Sequence, residues 1–159
     1  MLQKTKFRIA FIFSIIVVFI ILGESCTKEN TEKNEKKIST HNSKESHNMG
    51  TNCMTCHKKG GDGEGWFNAA GTVYDSSKAF VLGNTTVKLF TGPNGTGDLK
   101  HTIQVDGLGN FYTTEAIDFT NGLYPAVQGP TSTIYMSTAT NTGQCYSCHN
   151  TTTDKIWTK

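Results

Sequence analysis

The chain has 159 residues, 18% of them charged, and a formal net charge of +2. So small a charge leaves no basic footprint for a nucleic-acid partner. Five cysteines are present, and their placement says most about the chemistry.

In chain order, the first element reads as an export signal. Lys4, Lys6 and Arg8 form a basic leader, and Ile9 to Leu22 is an apolar run interrupted only by Ser14. That length fits a signal-peptide core better than a bilayer span, which needs about 20 apolar residues. An uncleaved N-terminal anchor is the alternative. Leu22-Gly23-Glu24-Ser25-Cys26 resembles the lipobox of bacterial lipoproteins. The resemblance implies a signal peptide over residues 1–25, cleavage before Cys26 and a diacylated Cys26. A lipidated cysteine is harmless in an oxidising compartment, where a free thiol is a liability. Two or more acyl chains hold a protein firmly at a membrane surface. The expected location is therefore outside the cytoplasmic membrane, as a membrane-anchored lipoprotein of the periplasm, outer membrane or cell surface.

Residues 26–49 are expected to form a disordered tether. Lys28 to Lys44 is rich in Lys, Glu, Asn, Ser and Thr, with Ile38 as its only large apolar residue. Such a composition buries too little surface to fold alone.

The folded domain is expected over residues 50–159, and it begins with Cys53-Met54-Thr55-Cys56-His57. This is C-x-x-C-H, the attachment pattern of c-type haem. Two thiols three positions apart reach the two vinyl groups of one porphyrin, and the following His supplies an imidazole to the iron. The pattern recurs as Cys145-Tyr146-Ser147-Cys148-His149. Two copies in an exported chain, each followed by His, point to two haem c groups. A four-cysteine zinc site and disulfides are the alternatives. The two pairs stand most of a domain apart, unlike those of a compact zinc ribbon. Gly60 to Gly65 reads as a flexible linker, since it lacks the Lys-Ser/Thr of a phosphate loop.

Between the motifs, short apolar runs alternate with turn signals and no helical stripe is sustained. Strands are expected at Trp66 to Tyr74, Thr85 to Phe90, His101 to Val105, Gly109 to Thr113, Leu123 to Gln128 and Thr133 to Met136. Val87 and Leu89 should point inward and Lys88 outward. Asn94-Gly95 suits a turn with positive φ, and Asp106 to Gly109 forms a second tight turn.

Three segments carry a resemblance: Ala70-Gly71-Thr72-Val73-Tyr74-Asp75, Val87-Lys88-Leu89, and Asp106-Gly107-Leu108-Gly109-Asn110-Phe111. Together they resemble the carboxypeptidase regulatory-like (transthyretin-like) β-sandwich over roughly Phe67 to Val127. The resemblance implies an all-β, Greek-key sandwich of about seven strands without catalytic residues. Here the sandwich is flanked by C-x-x-C-H segments at both ends. Convergence of those ends is expected, because a domain this small needs the haems as part of its core. A sandwich acting as a spacer is the alternative.

His57 and His149 are the expected proximal iron ligands. Candidates for the opposite axial position are His41, His47, His101, Met49, Met54 and Met136. His47 and Met136 are favoured, because each precedes its motif by a similar short distance. A Met ligand raises haem potential relative to His, so one His/His and one His/Met haem would differ in potential. The expected function is non-enzymatic electron transfer with other redox proteins. A haem enzyme or sensor with an open iron site, and a cell-surface binding module, are the alternatives.

Overall fold

The computed structural model describes residues 33–159. Residues 1–25, expected to be a signal peptide, and Cys26 lie outside the described residues. The domain is an all-β sandwich of two four-stranded sheets. Its strands are β1 (Ala69–Tyr74), β2 (Thr86–Phe90), β3 (Leu99–Gln104), β4 (Asn110–Thr113), β5 (Tyr124–Gln128), β6 (Thr133–Tyr135), β7 (Gly143–Gln144) and β8 (Ile156–Trp157). One sheet runs β4-β1-β7, with β8 also paired to β1, and the other runs β3-β2-β5-β6. All six expected strands are present. The two that composition did not mark, β7 and β8, are two residues long.

Strand β2 shows the alternation expected of it. Val87 and Leu89 are buried, and Thr86, Lys88 and Phe90 are less so, because successive side chains point to opposite faces. The β2–β3 hairpin turns through Asn94 at φ 55° and Gly95 at φ 75°, the left-handed region that Asn and Gly enter most readily. The turn into β4 is organised by Asp106, whose Oδ1 accepts the N–H groups of Leu108 and Asn110 at 2.9 and 3.0 Å. Val73, Val87, Leu89, Ile103, Val105 and Phe111 meet between the sheets as the centre of the core.

Strand β1 is buried along its whole length. Its residues are small at Ala69, Ala70 and Gly71, which lets other elements approach both faces. A side chain at Gly71 would meet the Phe111 ring at 2.7 Å. On its edges, β1 pairs antiparallel with β4 and in parallel with β7 and then β8, through Ala69–Ala70 and Val73–Tyr74 respectively. Residues 145–155, with the second motif, leave the sheet between β7 and β8. That motif is thus gripped by strands on both sides.

The tether expectation is corrected for residues 34–49, which are folded against the domain. Ile38 bridges Thr113 of β4, with Ser39 N–H on the Tyr112 carbonyl at 3.0 Å and Thr114 N–H on the Lys37 carbonyl at 2.9 Å. Asn34 exchanges two hydrogen bonds, each 2.9 Å, with the backbone of Trp66. The segment covers the open edge of β4, which would otherwise present unpaired backbone groups. A polar sequence suits this role, because backbone hydrogen bonding holds it rather than apolar burial. His41, one of the axial candidates, is exposed, with its Nε2 2.9 Å from the Thr85 carbonyl.

Candidate functional site

Both motifs fold into the same local structure. Cys53–Thr55 and Cys145–Ser147 are each one 3-10 turn. The fifth-residue N–H closes each turn onto the first carbonyl: His57 onto Cys53 and His149 onto Cys145, both at 3.0 Å. This brings the two cysteines and the histidine of each motif to one side of a tight loop. All four thiols are free.

Each histidine is then oriented by a backbone carbonyl further along the chain. His57 Nδ1 lies 3.0 Å from the Glu64 carbonyl, and His149 Nδ1 lies 2.6 Å from the Asp154 carbonyl. A carbonyl oxygen only accepts, so Nδ1 carries the hydrogen in both rings. The neutral imidazole therefore presents its Nε2 lone pair, the form in which histidine binds a metal. The side chains of the same two residues pin the returning loops to the domain: Glu64 to Lys37 at 3.0 Å and Asp154 to Lys78 at 2.5 Å.

The Gly60 to Gly65 stretch, expected to be a flexible linker, is instead a fitted cradle. A Cβ on Gly63 would lie 2.6 Å from His57 Nδ1, and one on Gly61 would overlap the Cys56 carbonyl. The absence of side chains lets the loop close on the imidazole and bring the Glu64 carbonyl to it. On leaving the loop, Phe67 stacks on His57 with ring centres 4.2 Å apart, and Tyr112 stacks on Phe67 at 4.9 Å.

Each motif stands on the wall of its own cavity. The first cavity, about 250 Å³, is lined by Cys53, Cys56, His57, His47, Asn110 and Tyr112 among others. The second, about 320 Å³, opens between the two sheets. Cys145, Cys148, His149 and Met136 line it together with apolar residues of both sheets, among them Leu89 and Phe111. Along β4, Asn110 and Tyr112 face the first cavity and Phe111 the second. Because side chains alternate along a strand, the two cavities lie on opposite faces of one sheet.

The favoured axial candidates fall in these cavities. His47 lines the first, its ring centre 6.0 Å from that of His57 at an interplanar angle of 38°. Met136 lines the second. His101 sits on β3 opposite Leu89 of β2, and neither it nor Met49 nor Met54 lines either cavity.

The segments that flank the two motifs also meet one another. The side-chain amide of Asn150, beside His149, donates to the Gly50 carbonyl at 3.1 Å, so the two ends of the sandwich that carry the motifs converge. Burial pushes the Cys145 thiol up to about 12, with Cys53 and Cys148 nearby adding to the rise. Burial also raises the Cys53 thiol. The first cysteine of each motif is thus the inward one, while Cys56 and Cys148 are exposed.

Sequence reasoning missed the two carbonyls that orient the histidines. A signal for them exists: each motif is followed by an acidic residue and then a tryptophan, as Glu64-Gly65-Trp66 and Asp154-Lys155-Ile156-Trp157. The apolar lining of the second cavity was also missed, since those residues read simply as core.

No known family model matches the chain, and neither does any curated protein or solved structure.

Proposed function

We propose that the protein is a dihaem c-type cytochrome that carries electrons outside the cytoplasmic membrane, anchored there through a lipid on Cys26. The observation that carries this reading is the repeated arrangement of Cys, Cys and an Nε2-presenting His on the wall of a cavity. Oriented imidazoles of this kind suit a metal, and paired free thiols beside them suit covalent attachment of a porphyrin.

The residues fit that group. Cys53 and Cys56 would bind the first haem and His57 its iron; Cys145, Cys148 and His149 would do the same for the second. His47 is the axial partner proposed for the first iron. Its ring centre lies 6.0 Å from that of His57 on the same cavity, so it would supply a second imidazole there. Met136 is the axial partner proposed for the second. Bound haem supplies an iron that gains and loses one electron. The chain would hold the ligands and set the polarity around each iron. A single four-cysteine zinc site fits less well, because each thiol pair faces its own cavity on opposite sides of a sheet.

A pyridine haemochrome assay with intact-mass measurement tests the reading. Protein matured by the c-type attachment machinery should carry two covalent haems and an N-terminal lipid. Both irons should be low spin and ignore carbon monoxide, as befits a carrier. A protein without covalent haem would refute the cytochrome. A high-spin, ligand-binding iron would replace the carrier with an enzyme or sensor.

A further inference from the structure

A chain of hydrogen bonds crosses β1 and joins the two sites. It begins at Asn150, next to His149, whose backbone lies in the left-handed region at φ 72°. Its amide donates to the Gly50 carbonyl at 3.1 Å. From the same glycine, the N–H donates to Thr72 Oγ1 at 2.9 Å. Thr72 in turn donates to Asn110 Oδ1 at 2.6 Å. Asn110 Nδ2 donates to the His47 carbonyl at 3.1 Å and to Ser46 Oγ at 3.0 Å. The path therefore runs from the residue after one proximal histidine to the proposed axial ligand of the other iron.

Two facts give the chain energetic weight. Thr72 and Asn110 are 6% and 2% exposed, and buried polar groups left without partners cost free energy. Residues 46–50 belong to no strand, so these bonds are what attach them to the sheet. Asn110 is itself held from behind, its N–H on Asp106 Oδ1 at 3.0 Å.

We infer that Thr72, Asn110 and Asn150 are positioning residues that couple the two haem sites. They hold His47 in place by clamping residues 46–50 between β4 and the second motif, so axial ligation at the first iron depends on the structure around the second. This inference rests on the dihaem reading above. Coupling of this kind is a free energy shared by two sites, and it acts in both directions.

The test uses the full-length protein matured with both haems. Asn150→Gly keeps the left-handed backbone, which glycine adopts freely, and removes the amide. Thr72→Val removes the hydroxyl with little change of shape, and Thr72→Ser restores it. Haem is counted first. Carbon monoxide binding to the ferrous protein and the spin state of the ferric protein are then measured.

With two haems retained, Asn150→Gly and Thr72→Val should each raise carbon monoxide binding about fivefold, the equilibrium worth of one hydrogen bond. Thr72→Ser should match the parent. In a His47→Ala background, where the axial ligand is already gone, neither change should add anything. Unchanged binding and spin state with two haems present would overturn the inference, as would an increase that persists in the His47→Ala background. Asn150 is exposed, so its variant decides the matter even if Thr72→Val does not fold. A parent with fewer than two haems would overturn the dihaem reading itself.

Discussion

The first and second motifs share one local structure and stand in opposite surroundings. The first sits on the outer face of its sheet, in a cavity whose walls include Lys37, Glu45, Ser46, Asn48 and Glu64. The second opens into the space between the sheets, against Leu89, Ile103, Phe111, Val127 and Ile134. One site is a pocket built on the outside of the sandwich with charged side chains on its wall, and the other reaches into the sandwich core. The same local structure is thus set in two different surroundings, and surrounding polarity is one of the means by which a protein tunes the potential of a haem it binds. A group bound at the second site should hold its electron more tightly and contribute more to folding.

The largest expected effect breaks this asymmetry at the level of stability. Replacing both Cys145 and Cys148 with Ala should leave the intersheet cavity unfilled, at a cost on the order of 5 kcal/mol. That is a large share of what holds a small domain together. Replacing both Cys53 and Cys56 with Ala should cost about 2 kcal/mol, because the first cavity lies outside the core between the sheets. Thermal unfolding of the two variants measures the difference, and equal losses would contradict it.

Next in size is the redox separation. Potentiometric titration should resolve two steps, the higher one belonging to the second site. Met136→Ala should lower that step, narrowing the gap without closing it, and turn its iron high spin. His47→Ala should turn the other iron high spin and leave the higher step in place.

A smaller effect sharpens the comparison at the loops. Gly63→Ala places a methyl group against His57 and should cost about 1–3 kcal/mol. First-site haem occupancy should fall while second-site occupancy is kept, which haem-peptide mass spectrometry can count. Smallest of all should be Glu64→Gln and Asp154→Asn. Each removes a surface ion pair worth about 0–1 kcal/mol and leaves in place the backbone carbonyl that orients the histidine. Haem content near that of the parent is the expected result for both.

Particular residues show how much of this was legible beforehand. Val87-Lys88-Leu89 announced its strand because alternation is a local property. Asn94-Gly95 announced its turn because positive φ is a property of two residues. Strands β7 and β8 were silent: two residues carry no periodicity, and they exist because the length of β1 offers them an edge. Residues 34–49 misled for a related reason. Their composition says they have no core of their own, and it says nothing about an exposed strand edge elsewhere that backbone groups can pair with. Gly63 looked like slack until His57 was found packed against it.

By itself, the sequence determined two C-x-x-C-H units and an all-β domain between them, with His47 and Met136 a few positions ahead of the units they precede. Those are matters of covalent spacing and short-range pattern. Only the tertiary structure decided that the two units lie on opposite faces of one sheet, one on the outside of the sandwich and one against its core. It alone also joined them through Asn150, Gly50, Thr72 and Asn110, because burial and long-range hydrogen bonding depend on what β1 brings together from both ends of the chain.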